Sequence, residues 1–240
     1  MKYQPSTKIK EVLLTTGIET PEDVAVDWFT GNIYFTDQSK SSIAVCTNNG
    51  YHCTQLVNSS IIEKPRALVV HPPDALMFWS DWGANGHIGT AYMDGSNPAK
   101  IVKDVAWPNG LALDWPSRRI YWADAKSQKI ETATINGKDR RMIIQEFVGH
   151  PYGLAVFEDR LYWSDWETSS ISSCNKFTGK DFNVLVQGDQ YFGKSNRHII
   201  CQVAQLSLLS RCSRLPRCNN AATSARLLGQ SMFAHLPSFV

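Results

Sequence analysis

Tyr34-Phe35-Thr36-Asp37 is the first of four related words. It returns as Phe78-Trp79-Ser80-Asp81, Tyr121-Trp122-Ala123-Asp124 and Tyr162-Trp163-Ser164-Asp165. The aspartates stand 44, 43 and 41 residues apart. A proline precedes each word, at Pro21, Pro65, Pro108 and Pro151, with spacings of 44, 43 and 43. Two independent markers on one period identify a structural repeat. A period of about 40–45 residues built of short strands is the signature of a β-propeller blade.

Each repeat reads as four strands. The first follows the proline, as in Gly110-Leu111-Ala112-Leu113-Asp114, and its small apolar residues suit an innermost strand buried on both faces. The aromatic word is the second strand, with rings large enough to fill the space between blades. The third alternates, as in Ile130-Glu131-Thr132-Ala133-Thr134-Ile135. It ends at the turn signals Asn49-Gly50, Asp94-Gly95, Asn136-Gly137 or Thr178-Gly179. The fourth is a short outer strand such as Arg141-Met142-Ile143-Ile144. Lys10-Glu11-Val12-Leu13-Leu14 matches that outer strand but has no blade ahead of it.

The recurring Asp37, Asp81, Asp124 and Asp165 admit two roles. They could be catalytic or bind metal, or they could accept hydrogen bonds from backbone and hydroxyl donors between blades. A single active site does not need four symmetric copies, so the architectural role is preferred.

The words resemble the YWTD, or class B, repeats of the low-density lipoprotein receptor family, although none matches the consensus letter for letter. The likeness extends through the prolines, the inner strands, Asp27-Trp28 and Asp114-Trp115, and the Asp94-Gly95-Ser96 turn, over about residues 9–190. Within the family, Val45-Cys46-Thr47-Asn48-Asn49-Gly50-Tyr51-His52-Cys53 and Ser173-Cys174-Asn175-Lys176-Phe177-Thr178-Gly179-Lys180 are most similar to arthropod vitellogenin (yolk protein) receptors, then to megalin-like receptors. The resemblance implies an all-β fold: a partial YWTD β-propeller, four blades of a six-bladed ring. It implies the extracellular or endosomal-lumenal side of a single-pass membrane receptor that works in endocytosis. In such receptors cysteine-rich class A repeats carry ligand binding, and growth-factor-like (EGF-like) modules and a membrane span complete the chain. None of these is present here, so the chain reads as a fragment of a larger receptor and is not expected to bind yolk lipoprotein tightly alone. No cofactor is implied; calcium is expected only in neighbouring modules. The expected partners are lipoprotein or yolk protein through the parent receptor, and neighbouring receptor modules.

Composition divides the chain into a lead (1–8), the propeller (9–190) and a divergent tail (191–240). With 240 residues and 43% hydrophobic content it can bury a sizeable core. Residues 1–190 hold 18 Lys/Arg against 22 Asp/Glu, whereas residues 191–240 hold six Lys/Arg and no acid. The tail has neither word nor proline at the expected period, so it reads as disordered or mispredicted and not as a nucleic-acid arm. The start lacks an apolar signal-peptide core, and Ile199–Leu209 is shorter than the roughly 20 apolar residues of a membrane span.

Cys46 and Cys53 flank one hairpin turn and are expected to form a disulfide. A zinc site using His52 lacks a fourth ligand at a suitable spacing. Asn58-Ser59-Ser60 is the one sequon for N-glycosylation. His71 and His150 border inner strands and are candidates for sensing endosomal pH, since the family's propeller acts in acid-triggered ligand release. No nucleophile elbow, phosphate loop or zinc-protease helix is present, so the chain is not expected to be an enzyme. A rival reading is a propeller hydrolase or lactonase with a central metal. Asp27 and Asp114 would be its ligands, but His71 and Phe157 occupy the other two strand ends and make a poor hard-metal cage. A Wnt co-receptor-like or matrix-binding YWTD module is a further alternative.

Overall fold

A computed structural model describes residues 2–4, 9–14 and 16–188. Everything expected of the tail lies outside the described residues. The strands are β1 (Lys2–Gln4), β2 (Ile9–Glu11), β3 (Pro21–Val26), β4 (Ile33–Asp37), β5 (Ser42–Cys46), β6 (Cys53–Val57), β7 (Pro65–His71), β8 (Leu76–Asp81) and β9 (His87–Tyr92). They continue as β10 (Ala99–Lys103), β11 (Pro108–Asp114), β12 (Arg119–Asp124), β13 (Lys129–Thr134), β14 (Arg141–Ile144), β15 (Pro151–Phe157), β16 (Arg160–Asp165), β17 (Ser170–Asn175) and β18 (Asn183–Gln187). Among the described residues the helical content is a single 3₁₀ turn, Pro72–Asp74.

β3 to β18 form four antiparallel four-stranded sheets in sequence order, one per repeat. Inner strands β3, β7, β11 and β15 contact one another in succession, and no comparable contact joins β15 back to β3 among the described residues. The blades therefore form an open arc. Each marker proline opens its inner strand rather than preceding it. A proline at the first residue of a strand costs the ladder little. It sits opposite the aspartate that ends the second strand, as in Pro108↔Asp124 and Pro151↔Asp165.

The aromatic word explains the packing. Side chains alternate across a strand, so its two rings face opposite neighbours. Tyr34 of the first blade shares a core with Trp79 of the second. Phe78 of the second meets Trp122 of the third, and Tyr121 of the third meets Trp163 of the fourth. Burying each indole removes roughly 150–250 Å² from water, about 4–6 kcal/mol of transfer free energy.

The expected burial of inner strands on both faces is met only inside the arc. β11 is buried along nearly its whole length, whereas every residue of β3 is at least partly exposed and β15 is intermediate. The reason is coverage: among the described residues, β3 and β15 have a neighbouring blade on one side only.

The outer strand expected at Lys10–Leu14 is shorter and is not solitary: β2 pairs with β1 in a two-stranded sheet. The residues after β2 occupy an outer-strand position against the first blade. Gly137, at φ +78, lies so close to the preceding outer strand that a Cβ would stand 1.9 Å from the Ile101 carbonyl oxygen. Gly50, at φ +75, makes the same approach to the Leu13 carbonyl, at 2.2 Å. These positions admit only glycine, both for φ and for space.

Candidate functional site

The four repeat aspartates organise one end of the molecule. Asp37 accepts from the backbone N–H of Glu19 (2.7 Å) and Thr20 (3.1 Å), in the chain entering β3. Asp81 holds Glu63 (2.7 Å) and Lys64 (3.1 Å) in the same way. Asp124 holds Ala106 (2.7 Å) and Trp107 (3.2 Å), and Asp165 holds Gly149 (2.8 Å) and His150 (2.9 Å). Each also accepts from the turn after its own strand, as Asp165 does from Glu167 and Thr168. These bonds lie within a blade and its entering loop, not between blades, and among the described residues the donors are backbone N–H groups and not hydroxyls. The word's hydroxyl takes a different part: Thr36 Oγ1 accepts from Asp23 N–H and donates to the Arg66 carbonyl of the next blade at 2.8 Å. Ala123 has no such hydroxyl.

Because the clamps fix every entering loop, the residue after each proline is fixed as well. These residues are Glu22, Arg66, Asn109 and Tyr152. Arg66 Nε lies 3.6 Å from Glu22 Oε2, and Arg66 Nη1 donates to Asn109 Oδ1. Asn109 Nδ2 donates to the Pro151 carbonyl at 3.0 Å. The Arg66 guanidinium stands over the Trp82 ring at 4.9 Å and the Tyr152 ring at 5.7 Å. Tyr152 stacks on Trp166 at 4.8 Å, Trp166 on His150 at 5.5 Å, and His150 leans on Trp107 at 6.4 Å. Lys64 and Lys126 sit over Trp82 and Trp107. Trp107 and Trp166 remain 44% and 40% exposed, which indoles in a finished core would not be. The result is a continuous aromatic and cationic surface at the mouth of the arc. The sequence reading missed it; the available signal was four chemically different residues at one fixed offset in otherwise uniform strands.

The two histidine candidates are not brought together. His150 belongs to the mouth. His71 lies at the far end of β7, buried and stacked on Trp115, with Nδ1 accepting from Asp74 N–H at 3.3 Å. Burial pushes its pKa down to about 4, against the opposing pull of Asp74. His87 is also buried and lowered by desolvation.

The proposed central metal ligands are engaged elsewhere. Asp27 accepts from Phe29 N–H and Thr30 Oγ1 in its own turn. Asp114 forms a buried ion pair with Lys176 of the fourth blade at 2.7 Å. An ammonium already satisfies that carboxylate. Among the described residues no group of three or more His, Cys, Asp or Glu is placed to hold a metal.

Cys46 and Cys53 are opposed in the ladder and joined by a disulfide. Cys174 is a free, buried thiol in the core between the third and fourth blades, and desolvation lifts its pKa to about 12. Such a thiol is inert. Asn58 lies in the exposed loop after β6.

Comparison with known proteins adds five likenesses. The profile of the low-density lipoprotein receptor repeat class B matches residues 75–115 and 118–158. Each match runs from the second strand of one blade through the inner strand of the next, so a sequence repeat bridges two sheets. The chain is 51% identical over 178 residues to the vitellogenin receptor Yl of Drosophila melanogaster, covering 74% of this chain and 9% of that protein. It is 42% identical over 186 residues to the vitellogenin receptor of Solenopsis invicta, covering 77% and 10%. It therefore spans about a tenth of the length of these relatives. A human low-density lipoprotein receptor-related protein 5-like protein is 33% identical over 168 residues, covering 69% of this chain and 66% of that protein. A chain in the crystal structure of a nidogen/laminin complex superposes with a TM-score of 0.69 at 25% identity, covering 74% of this chain and 67% of that one.

Proposed function

The chain belongs to the low-density lipoprotein receptor class B repeat family, and from that premise we propose that it is a protein-binding propeller module of a vitellogenin-type endocytic receptor ectodomain. The observation that carries this reading is the mouth, in which exposed Trp107 and Trp166 are backed by half-buried Arg66, Tyr152 and His150. Tryptophan, tyrosine and arginine dominate binding hot spots, because they combine large apolar area with a directed polar group. Rigid backbone clamps hold these side chains in place before a partner arrives, which lowers the cost of binding. The mouth serves binding and not catalysis.

In this reading the module works on the extracellular or endosomal-lumenal side of a membrane receptor. Lipoprotein capture and any calcium requirement reside in neighbouring modules. The propeller receives one of those modules in acid and so promotes ligand release. His71, already driven to about 4 and placed at the far end, stays neutral in mildly acidic compartments. His150, stacked within the mouth, is the histidine placed to act on a docked partner. A matrix-binding reading is the second choice, favoured by the likeness to a chain of a nidogen/laminin complex.

Surface plasmon resonance on the full secreted chain tests the reading, with yolk lipoprotein and a receptor class A module pair as separate analytes. Module binding should rise between about pH 7 and about pH 5.5. Trp166→Ala should weaken it at least about tenfold, and His150→Ala should flatten its pH dependence. Tight, calcium-dependent lipoprotein capture by this chain alone would overturn the division of labour.

A further inference from the structure

We propose that Asn58 carries an N-linked glycan. Asn58-Ser59-Ser60 is the single Asn-Xaa-Ser/Thr triplet in the 240 residues. A triplet by itself arises often by chance, so the folded geometry is needed to show whether the finished chain has room for a glycan there. All three residues are exposed, in the connection between outer strand β6 and inner strand β7. The loop has a definite shape. The Asn58 carbonyl accepts from the N–H groups of Ile61 and Ile62, each at 3.1 Å. Ile62 is 1% exposed and pins the loop to the core between the first two blades.

The folded side chain leaves room for the sugar. Asn58 Oδ1 accepts from Ser60 N–H at 3.0 Å and from Ser60 Oγ at 2.7 Å. The hydroxyl that defines the triplet therefore already rests on the amide oxygen. Asn58 Nδ2, the atom to be modified, donates to no described residue. Neither the strand ladder nor the core loses a contact when Nδ2 is substituted.

The chemistry also suits the compartment. The Cys46–Cys53 disulfide closes the hairpin of the same blade, and disulfides persist in the oxidising lumen where sugar is transferred. The donor is a lipid-pyrophosphate-linked oligosaccharide. Nδ2 attacks C1 of its terminal N-acetylglucosamine, the C1–O bond to phosphate breaks, the amide nitrogen loses one proton, and lipid pyrophosphate leaves. The site lies between the first and second blades. The exposed Trp107 and Trp166 lie on the loop entering the third blade and the turn of the fourth, so a glycan leaves them open.

The proposal rests on the lumenal placement argued above. The test supplies that placement and judges the site alone. The full chain is translated behind a cleavable signal sequence with microsomes, and protease protection identifies translocated molecules. We expect one endoglycosidase-sensitive step in mobility, lost in Asn58→Gln and in Ser60→Ala, and kept or increased in occupancy in Ser60→Thr. Transfer occurs on the entering chain, so a variant that folds poorly still reports on the site. A translocated chain with no such step overturns the proposal, as does a step that survives Asn58→Gln. Failure of the receptor reading would appear instead as lost binding in the previous experiment.

Discussion

The third blade and the first are built on one pattern and end in different environments. In the third, the second strand is buried throughout and the inner strand nearly so; in the first, the inner strand is partly exposed along its length. The fourth blade shows the same contrast in one residue. Tyr162 is half-buried, whereas Tyr34, Phe78 and Tyr121 at the equivalent position are 5%, 0% and 1% exposed. The word is alike in each case; what differs is whether a neighbouring indole covers it. A repeat of this kind gains most of its stability at the joints between units.

The largest expected effect tests that difference. Trp122→Ala should cost about 3–5 kcal/mol in urea unfolding, because the ring fills the joint between the second and third blades. Tyr162→Ala should cost less than half as much. Equal losses would break the comparison.

The joint between the third and fourth blades offers a second test. Lys176→Met leaves Asp114 buried without its cation and should cost about 3 kcal/mol or more. The exposed pair Arg118–Asp74 should be worth at most about 1 kcal/mol. A double-mutant cycle for each pair measures both.

Gly137→Ala should destabilise by about 2 kcal/mol or more, combining left-handed strain with contact against Ile101. Gly17→Ala has the same φ of +78 but nothing within 4 Å, so it should cost only about 1–2 kcal/mol. Thermal melts that rank them the other way would show that the turn-to-strand approach is not tight.

The smallest expected effect concerns pH and sets the first blade apart. Asp23 stands where the other inner strands have Ala67, Gly110 and Gly153. The residue as a whole is partly exposed, but its carboxyl is turned inward toward Leu68 of the second blade. This desolvation lifts it to about 6, against the N–H donors of Leu68 and Val24. A raised acid favours the folded state below 3.8, and that contribution is lost as pH rises through about 6. His71 acts oppositely. Its folded pKa of about 4 lies below 6.5, so stability is lost as pH falls across that interval. The two offset one another in the native chain. Asp23→Asn should leave stability falling toward acid. His71→Phe, which keeps a ring on Trp115, should leave it falling toward neutral pH. Melting profiles unchanged in both variants would refute the pairing.

The repeat, the strand order and the aromatic word were legible in the sequence, because each depends on local period: alternation along a strand, glycine in a turn, proline at a strand start. So was the pairing of Cys46 with Cys53, which a single hairpin decides. The mouth was not legible. Glu22, Arg66, Asn109 and Tyr152 come from four blades and meet only when the arc forms. Nor was the partner of Asp114, since Lys176 lies 62 positions along the chain in another blade. The half-buried state of Tyr162 was equally beyond reach: related words differ in burial because a neighbour covers one and, among the described residues, not the other. Local chemistry wrote the blades, and the long-range stacking of blade on blade decided which side chains became core, which became ion pairs and which stayed exposed to bind.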